Sequence, residues 1–271
     1  MNNRSHESGK QILATDLDGT LIPLDGRAAH VEDLQTLAEA LRENGVPICF
    51  ASGRHFEIIL DAIATYRLPT PDWIICDVGT TILSRSDERY AVEEAYRQHL
   101  QDLMGNSSFH DIQQSLNELG ELRLQEEEKQ GEFKLSFYTD ATSLSATVEK
   151  VRDRLGDTPV SLIDSVDPFT GDGLIDLLPA GTSKAYALNW WADAQGVAAE
   201  EIVYAGDSGN DLAAFQAGFR SIVVRNAPDW LADEVARHHA SNNWTDRFYR
   251  AESDATSGVF EGCRHFGLIR R

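Results

Sequence analysis

The sequence predicts an α/β protein, with a parallel-sheet core interrupted by an inserted α+β unit. Three observations carry this. Strand-like and helix-like segments alternate singly near the start, and the same alternation resumes late in the chain. Between the two lies a stretch of helix followed by several short strands. Each strand of the alternating parts finishes in polar or glycine residues, as expected where ligands bind outside the carboxyl ends of parallel strands.

The elements follow in order. Ile12 to Thr15 is an apolar run that stops on Asp16-Leu17-Asp18-Gly19-Thr20. Val31, Leu34, Leu37, Ala38 and Leu41 mark one helical face, ended by Asn44-Gly45. "VPICFASGR" is the next strand, a helix runs from about His55 to Tyr66, and "DWIICDVGT" is the third strand. Strands separated by single helices imply right-handed βαβ units and a parallel sheet. Late in the chain come a helix stopped by Gly196, the strand and loop "EIVYAGDSGND", the strand "SIVVRNA", a helix opened by Pro228 and a closing helix in "SGVFEGCRHFGLI".

The middle reads differently. "ELRLQ", "EFKLSFYT", "VSLIDS" and "LIDLL" are short strands, with a helix carrying Leu144, Val148, Val151 and Leu155 on one face. The charged run Gln125 to Glu132 reads as a solvated hairpin loop. The expected division is a disordered leader at 1–10, a core made of 11–84 and 179–271, and an α+β insert at 85–178.

Composition narrows the function classes. Among 271 residues the formal net charge is -20, from 44 Asp and Glu against 24 Lys and Arg. Such a surface repels nucleic acid phosphates and anionic membranes, so neither is an expected partner. The three cysteines, Cys49, Cys76 and Cys263, lack metal-ligand spacing, and two lie in apolar runs, which predicts free thiols in a reducing compartment. With no apolar segment of signal or membrane-spanning length, a cytoplasmic location is expected.

The strand ends carry the chemistry. Asp18-Gly19 alone would suit a hairpin turn, but the other strands end comparably at Ser52-Gly53-Arg54, Asp77-Val78-Gly79-Thr80 and Gly206-Asp207. Asp16, Asp18, Asp207 and Asp211 would crowd negative charge into one crevice, which a hard cation makes tolerable. Oxygen ligands without histidine suggest Mg²⁺, which keeps some waters and bridges to phosphate. Ser52 can offer its hydroxyl and the amides after it their N–H groups, while Lys184 can neutralise a phosphate oxygen from the first turn of its helix. A carboxylate beside such a centre can attack phosphorus, and a second two positions on can serve as acid and then base. Each piece alone has a plainer reading: a helix N-cap at Ser52, a surface lysine at 184, a capped turn at "GDSGND".

Together these residues resemble the four motifs of the haloacid dehalogenase-like phosphatases. The resemblance implies a Rossmann-like core with Asp16 as nucleophile and Asp18 as acid/base. It implies Mg²⁺ held by Asp16, the Asp18 carbonyl and Asp207, supported by Asn210 and Asp211, with phosphate bound by Thr20, Ser52, Gly53 and Lys184. It also implies that the insert is a cap that sets specificity. "PDWIICDVGTTI", "FKLSFYTD", "LIDLLPAGTSKAYAL" and "SGVFEGCRHFG" are similar to the sucrose-phosphate phosphatase branch, which includes mannosylfructose-phosphate phosphatase. The implied substrate is a disaccharide phosphate, and association with a cognate glycosyltransferase or synthase fits that branch. Arg54, Asp77, Thr80 and Lys134 are the candidates for sugar contacts. One departure stands out: sucrose phosphatases often read Val-Gly-Thr-Glu, and Thr81 holds the Glu position here.

Other readings of the same residues remain open at this stage. A phosphoacceptor signalling module also clusters Asp and Lys on a parallel sheet, but needs no insert of this length. A non-catalytic domain of the same fold needs no acid/base. A phosphomutase with an aspartyl nucleophile, or a phosphatase for another sugar phosphate such as glucosylglycerol-phosphate, would share the site.

Overall fold

The structure is a computed structural model that describes residues 9–23, 27–167 and 170–270. The expected leader falls outside these except for Gly9 and Lys10, and the Gly9 N–H donates to Glu201 Oε1 at 2.7 Å.

The chain opens with β1 (Ile12–Thr15), α1 (Ala28–Asn44), β2 (Ile48–Ala51), α2 (Phe56–Tyr66), β3 (Trp73–Cys76), β4 (Thr81–Ser86) and β5 (Arg89–Val92). Next come α3 (Glu94–Met104), α4 (Phe109–Leu116), β6 (Arg123–Leu124), β7 (Leu135–Thr139), α5 (Leu144–Leu155), β8 (Val160–Val166) and β9 (Gly173–Pro179). The last part holds α6 (Lys184–Gln195), β10 (Ile202–Gly206), the short α7 (Leu212–Phe215), β11 (Arg220–Val223), α8 (Asp229–Ser241), β12 (Phe248–Arg250) and α9 (Ala255–His265).

The chain divides into two compact units. The first spans Met1–Val92 and Lys184–Arg271, the second Glu93–Ser183. The sequence-based boundary at 84/85 therefore falls inside β4. The hairpin β4–β5 completes the first unit's sheet, and the second boundary moves from 178/179 to just before Lys184.

The first unit is built on an eight-stranded sheet in the order β12-β11-β10-β1-β2-β3-β4-β5. Six neighbouring strands run parallel, with β1 central, paired through Thr15 to Ala205 of β10 and to Phe50 of β2. β4 and β5 are antiparallel at one edge. The inner strands are buried on both faces and almost wholly apolar, as expected of parallel strands covered by helices. Leu34, Leu37 and Leu41 of α1 are buried in the same core as Val259, Phe260 and Cys263 of α9. Val31, expected on the buried face of α1, is 51% exposed and lies off that stripe. All three cysteines are free and buried, and burial pushes the Cys263 thiol up to about 12.

The second unit is an antiparallel sheet in the order β6-β7-β9-β8. The apolar face of α5, Leu144, Val148, Val151 and Leu155, is buried as its period requires. Thr139 Oγ1 donates to Thr147 Oγ1 of α5 at 3.3 Å, which places alternate residues of β7 toward that helix. The charged run after β6 is more ordered than a solvated loop. Gln125 is buried, and the Gln130 amide donates to the Gln125 and Ser136 carbonyls while its oxygen accepts from the Ser136 N–H. Among the described residues, no helix is long and apolar enough to cross a membrane.

Candidate active site

The parallel strands of the first unit end together, and their carboxyl ends bring the motif residues into one place. β1 delivers Asp16, whose N–H donates to Ala205 O at 2.9 Å and is thereby fixed against β10. Beyond it the chain turns tightly: Gly19 N–H donates to Ile22 O, and Ile22 N–H returns to Leu17 O. Gly19 has a φ of +75°, and a Cβ there would stand 2.4 Å from Asp207 Oδ2. Glycine is thus required twice, by the left-handed backbone and by the approach of the carboxylate. Gly206, at the end of β10, is required by close approach alone, since a Cβ would lie 2.7 Å from Asp211 Cγ.

Lys184 begins α6 and is 2% exposed. Its Nζ donates to Asp16 Oδ1 at 2.7 Å, Asn210 Oδ1 at 3.0 Å and Asp211 Oδ1 at 3.1 Å. Burial alone would pull its pKa down, but Asp16 and Asp211 outweigh burial and raise it, so the ammonium stays charged. Asp211 is wholly buried and saturated. Its Oδ1 also accepts from Tyr204 Oη at 2.6 Å, and its Oδ2 accepts from the Asp207 and Ser208 N–H groups. That residue shapes the loop and steadies Lys184. Tyr204 was not singled out from the sequence, because within a buried strand it reads as one more apolar position.

Acidic oxygens of Asp16, Asp207 and Asp211 lie within 4.8 Å of one another. Burial, followed by the neighbouring carboxylates, raises Asp207 to about 6. Burial raises Asp16 to about 8; Lys184 opposes this, while Asp211 and Asp207 add to it. One ammonium does not balance this much negative charge. The donor set is all oxygen, tightly clustered and short of positive charge, which fits a small hard cation. With Asp211 already saturated, Asp16 and Asp207 are the carboxylates left to hold it.

Other predicted residues have protein partners of their own. Thr20 is buried, and its hydroxyl donates to Asp207 Oδ1 at 3.0 Å, so it orients that carboxylate. Arg54 forks onto Asp18, with Nε to Oδ2 at 2.7 Å and Nη2 to Oδ1 at 2.6 Å. Burial lowers the Arg54 pKa, and the Asp18 pair more than offsets that. Asp77 is 2% exposed, with one oxygen against His55 Nδ1 at 2.7 Å and the other accepting from Thr81 Oγ1 at 3.3 Å. Thr80 Oγ1 donates to the Asp77 carbonyl. Both Asp77 and Thr80 are therefore committed to their own turn, where Asp77 and Val78 stand at φ 51° and 61°. Ser52 is buried at the end of β2, and its Oγ accepts the Arg54 N–H, leaving its own proton to give. Gly53 follows directly.

In the second unit Lys134 sits just before β7 and is 6% exposed. No hydrogen bond or ion pair of its ammonium is found among the described residues.

Comparison with known proteins agrees with this geometry. Residues 9–267 match the family model for sucrose-6F-phosphate phosphohydrolase. A HAD-like hydrolase of Nitrosococcus oceani is 33% identical over 95% of this chain and 72% of its own. The mannosylfructose-phosphate phosphatase of Agrobacterium fabrum is 30% identical over 96% of this chain and 98% of its own. The sucrose-phosphatase of Synechocystis, solved in complex with sucrose and phosphate, superposes with a TM-score of 0.75 at 24% identity, over 95% of this chain and 98% of that one. The fold is accordingly that of the haloacid dehalogenase-like phosphatases, and the chain is a phosphatase belonging to the sucrose-6F-phosphate phosphohydrolase family.

Proposed function

We propose that the protein hydrolyses a disaccharide phosphate monoester, of the sucrose-6-phosphate or mannosylfructose-phosphate kind, through an aspartyl-phosphate on Asp16 with Mg²⁺ as cofactor. The observation that carries this reading is the buried Lys184–Asp16 pair at 2.7 Å, with Asp18 and Asp207 at the same end of the parallel sheet. The family model and the Agrobacterium relative support the substrate class.

Held by Asp16, the Asp18 carbonyl and Asp207, Mg²⁺ would supply the positive charge that lets an anionic ester approach these carboxylates. The chain's own groups do the rest. Lys184, the Ser52 hydroxyl and the Gly53 N–H bind the phosphoryl oxygens and orient phosphorus toward Asp16. Asp16 attacks, a P–O bond forms, and the ester P–O bond to the sugar breaks. Asp18, protonated, gives its proton to the departing sugar oxygen; then, as carboxylate, it takes one from the attacking water. That water displaces Asp16 from phosphorus and yields inorganic phosphate. Arg54 forks onto both oxygens of Asp18 and must release it before Asp18 can act as the acid. We assign Lys134 and Arg54 to sugar recognition, with Asp77 and Thr80 shaping the turn beside Arg54.

The test is phosphate release from a panel of sugar phosphates, with Mg²⁺ or with chelator, and the sugar product identified. Free disaccharide and inorganic phosphate, only with Mg²⁺, is the expected result. An isomerised sugar phosphate would indicate a mutase, and full activity in chelator would remove the cation from the mechanism.

A further inference from the structure

Asn226 lies in the turn after β11, outside every motif discussed so far. Its Nδ2 donates to the Gly19 carbonyl at 2.8 Å and approaches Asp207 Oδ2 at 3.3 Å. Its Oδ1 accepts from the Ala255 N–H at 2.8 Å. A single side chain thus spans three segments: the loop after β1, the carboxylate after β10 and the first residue of α9. Thr20 already fixes the other oxygen of Asp207, at 3.0 Å. Between them, Thr20 and Asn226 leave that carboxylate little freedom to rotate. An amide suits this position, because it donates without bringing a charge that would compete with a cation.

We propose that Asn226 is a positioning residue for the cation site. It ties the loop that carries Asp18 and Gly19 to the Asp207 carboxylate, so that oxygen donors on both sides stand at their working separation before a cation arrives. The inference rests on the cation dependence proposed above. Partners of this kind, which orient a ligand without touching the metal, typically contribute about 10–100-fold to affinity.

The plainer role for Asn226 is to cap α9 through Ala255, whose φ is +44°. A second tie between the same elements separates the two roles. Thr256 Oγ1 donates to the Leu21 carbonyl at 2.7 Å and touches neither Gly19 nor Asp207. Asn226 itself is exposed, so its removal leaves no cavity in the core.

The experiment uses Mn²⁺ as probe, titrated into the full-length chain with free Mn²⁺ read by electron paramagnetic resonance, alongside thermal melting without metal. Asn226→Ala and Asn226→Ser, the latter a polar replacement too short to reach Gly19, are compared with Thr256→Val. Both Asn226 variants should weaken Mn²⁺ binding by about tenfold with a small change in Tm. Thr256→Val should lower Tm and leave Mn²⁺ affinity unchanged. If Asn226→Ala does not fold, the Ser variant carries the measurement. Unchanged Mn²⁺ affinity in a folded Asn226 variant, or an equal loss in Thr256→Val, overturns the inference. Absence of Mn²⁺ binding in the unsubstituted chain overturns the cation reading first and this inference with it, so the two failures are distinguishable.

Discussion

The two units of this protein treat a buried lysine in opposite ways. Lys184, at the carboxyl ends of the parallel strands, is 2% exposed and donates to three oxygens. Lys134, beside the antiparallel sheet of the second unit, is 6% exposed, and its ammonium meets no partner among the described residues. Its stem is covered while the ammonium keeps contact with solvent, as long cationic side chains commonly do. The contrast separates two kinds of preparation. Groups that must act on every phosphate ester are locked in place by partners already present. A group that reads a particular sugar must keep its hydrogen-bonding capacity open until the sugar supplies the partner.

The most damaging way to break the locked side is at the nucleophile. Asp16→Asn should lower kcat by at least about a thousandfold, since an amide neither attacks phosphorus nor holds a cation as a carboxylate does. Phosphate release at saturating Mg²⁺ measures this, and near-normal turnover would rule out Asp16 as nucleophile. Asp211→Ala attacks the scaffold beneath it. Removing this carboxylate strips Lys184 and Tyr204 of a shared acceptor and frees two loop N–H groups. The expected loss is about 3–5 kcal/mol of stability, read from denaturant melts. A loss within ordinary surface-mutant scatter would mean that the lock is looser than its distances imply.

The open side should respond selectively. Lys134→Ala should raise KM for the preferred disaccharide phosphate by about 10–100-fold, the equivalent of a charge-assisted hydrogen bond of about 1.5–3 kcal/mol. Hydrolysis of p-nitrophenyl phosphate should hardly change. Lys134→Met, which keeps the packing of the stem, should show the same selective loss with little change in Tm. Equal loss with both substrates, or no loss with either, would remove Lys134 from the sugar site.

The smallest expected effect links the locked cluster to pH. The carboxyls of Asp16 and Asp207 are raised, to about 8 and about 6, above the ordinary value of 3.8. Between pH 4 and 8 the folded chain therefore binds more protons at these sites than the unfolded chain. Their contribution to stability is present at low pH and is lost as pH rises through 6 and 8. In chelator, these groups pull Tm down over that range. Mg²⁺ needs the deprotonated forms, so the rise in Tm that it produces should be larger by a few degrees at pH 8 than at pH 5.5. Scanning calorimetry at both pH values, with Mg²⁺ and with chelator, checks the sign; an equal or reversed difference would contradict it.

Much of this was legible in the residues themselves. The parallel strands beside the site, their long helices and the order of the motifs follow from apolar period, glycine stops and the polar strand ends. The same logic failed at β4, β5 and β12, which lie toward the two edges of the sheet and owe their pairing to the strands next to them. The division at Ser84 failed for the same reason: nothing local says that Arg85 to Val92 returns to the parallel sheet as an antiparallel edge.

Residue types and motif order determined that Asp16, Asp18, Lys184 and Asp207 belong to one phosphatase site, because few chemistries use those groups on successive strand ends. Which hydroxyl or carboxylate faces which neighbour was decided only by tertiary structure. Thr20 turned to Asp207, Arg54 to Asp18, Asp77 to His55 and Thr81, and Asn226 to Gly19 and Asp207. These partners come from segments up to 207 residues apart in sequence. A hydrogen bond forms over about 3 Å. Sequence can name the groups that chemistry requires, but pairing over that distance exists only after the sheet has set its strands side by side.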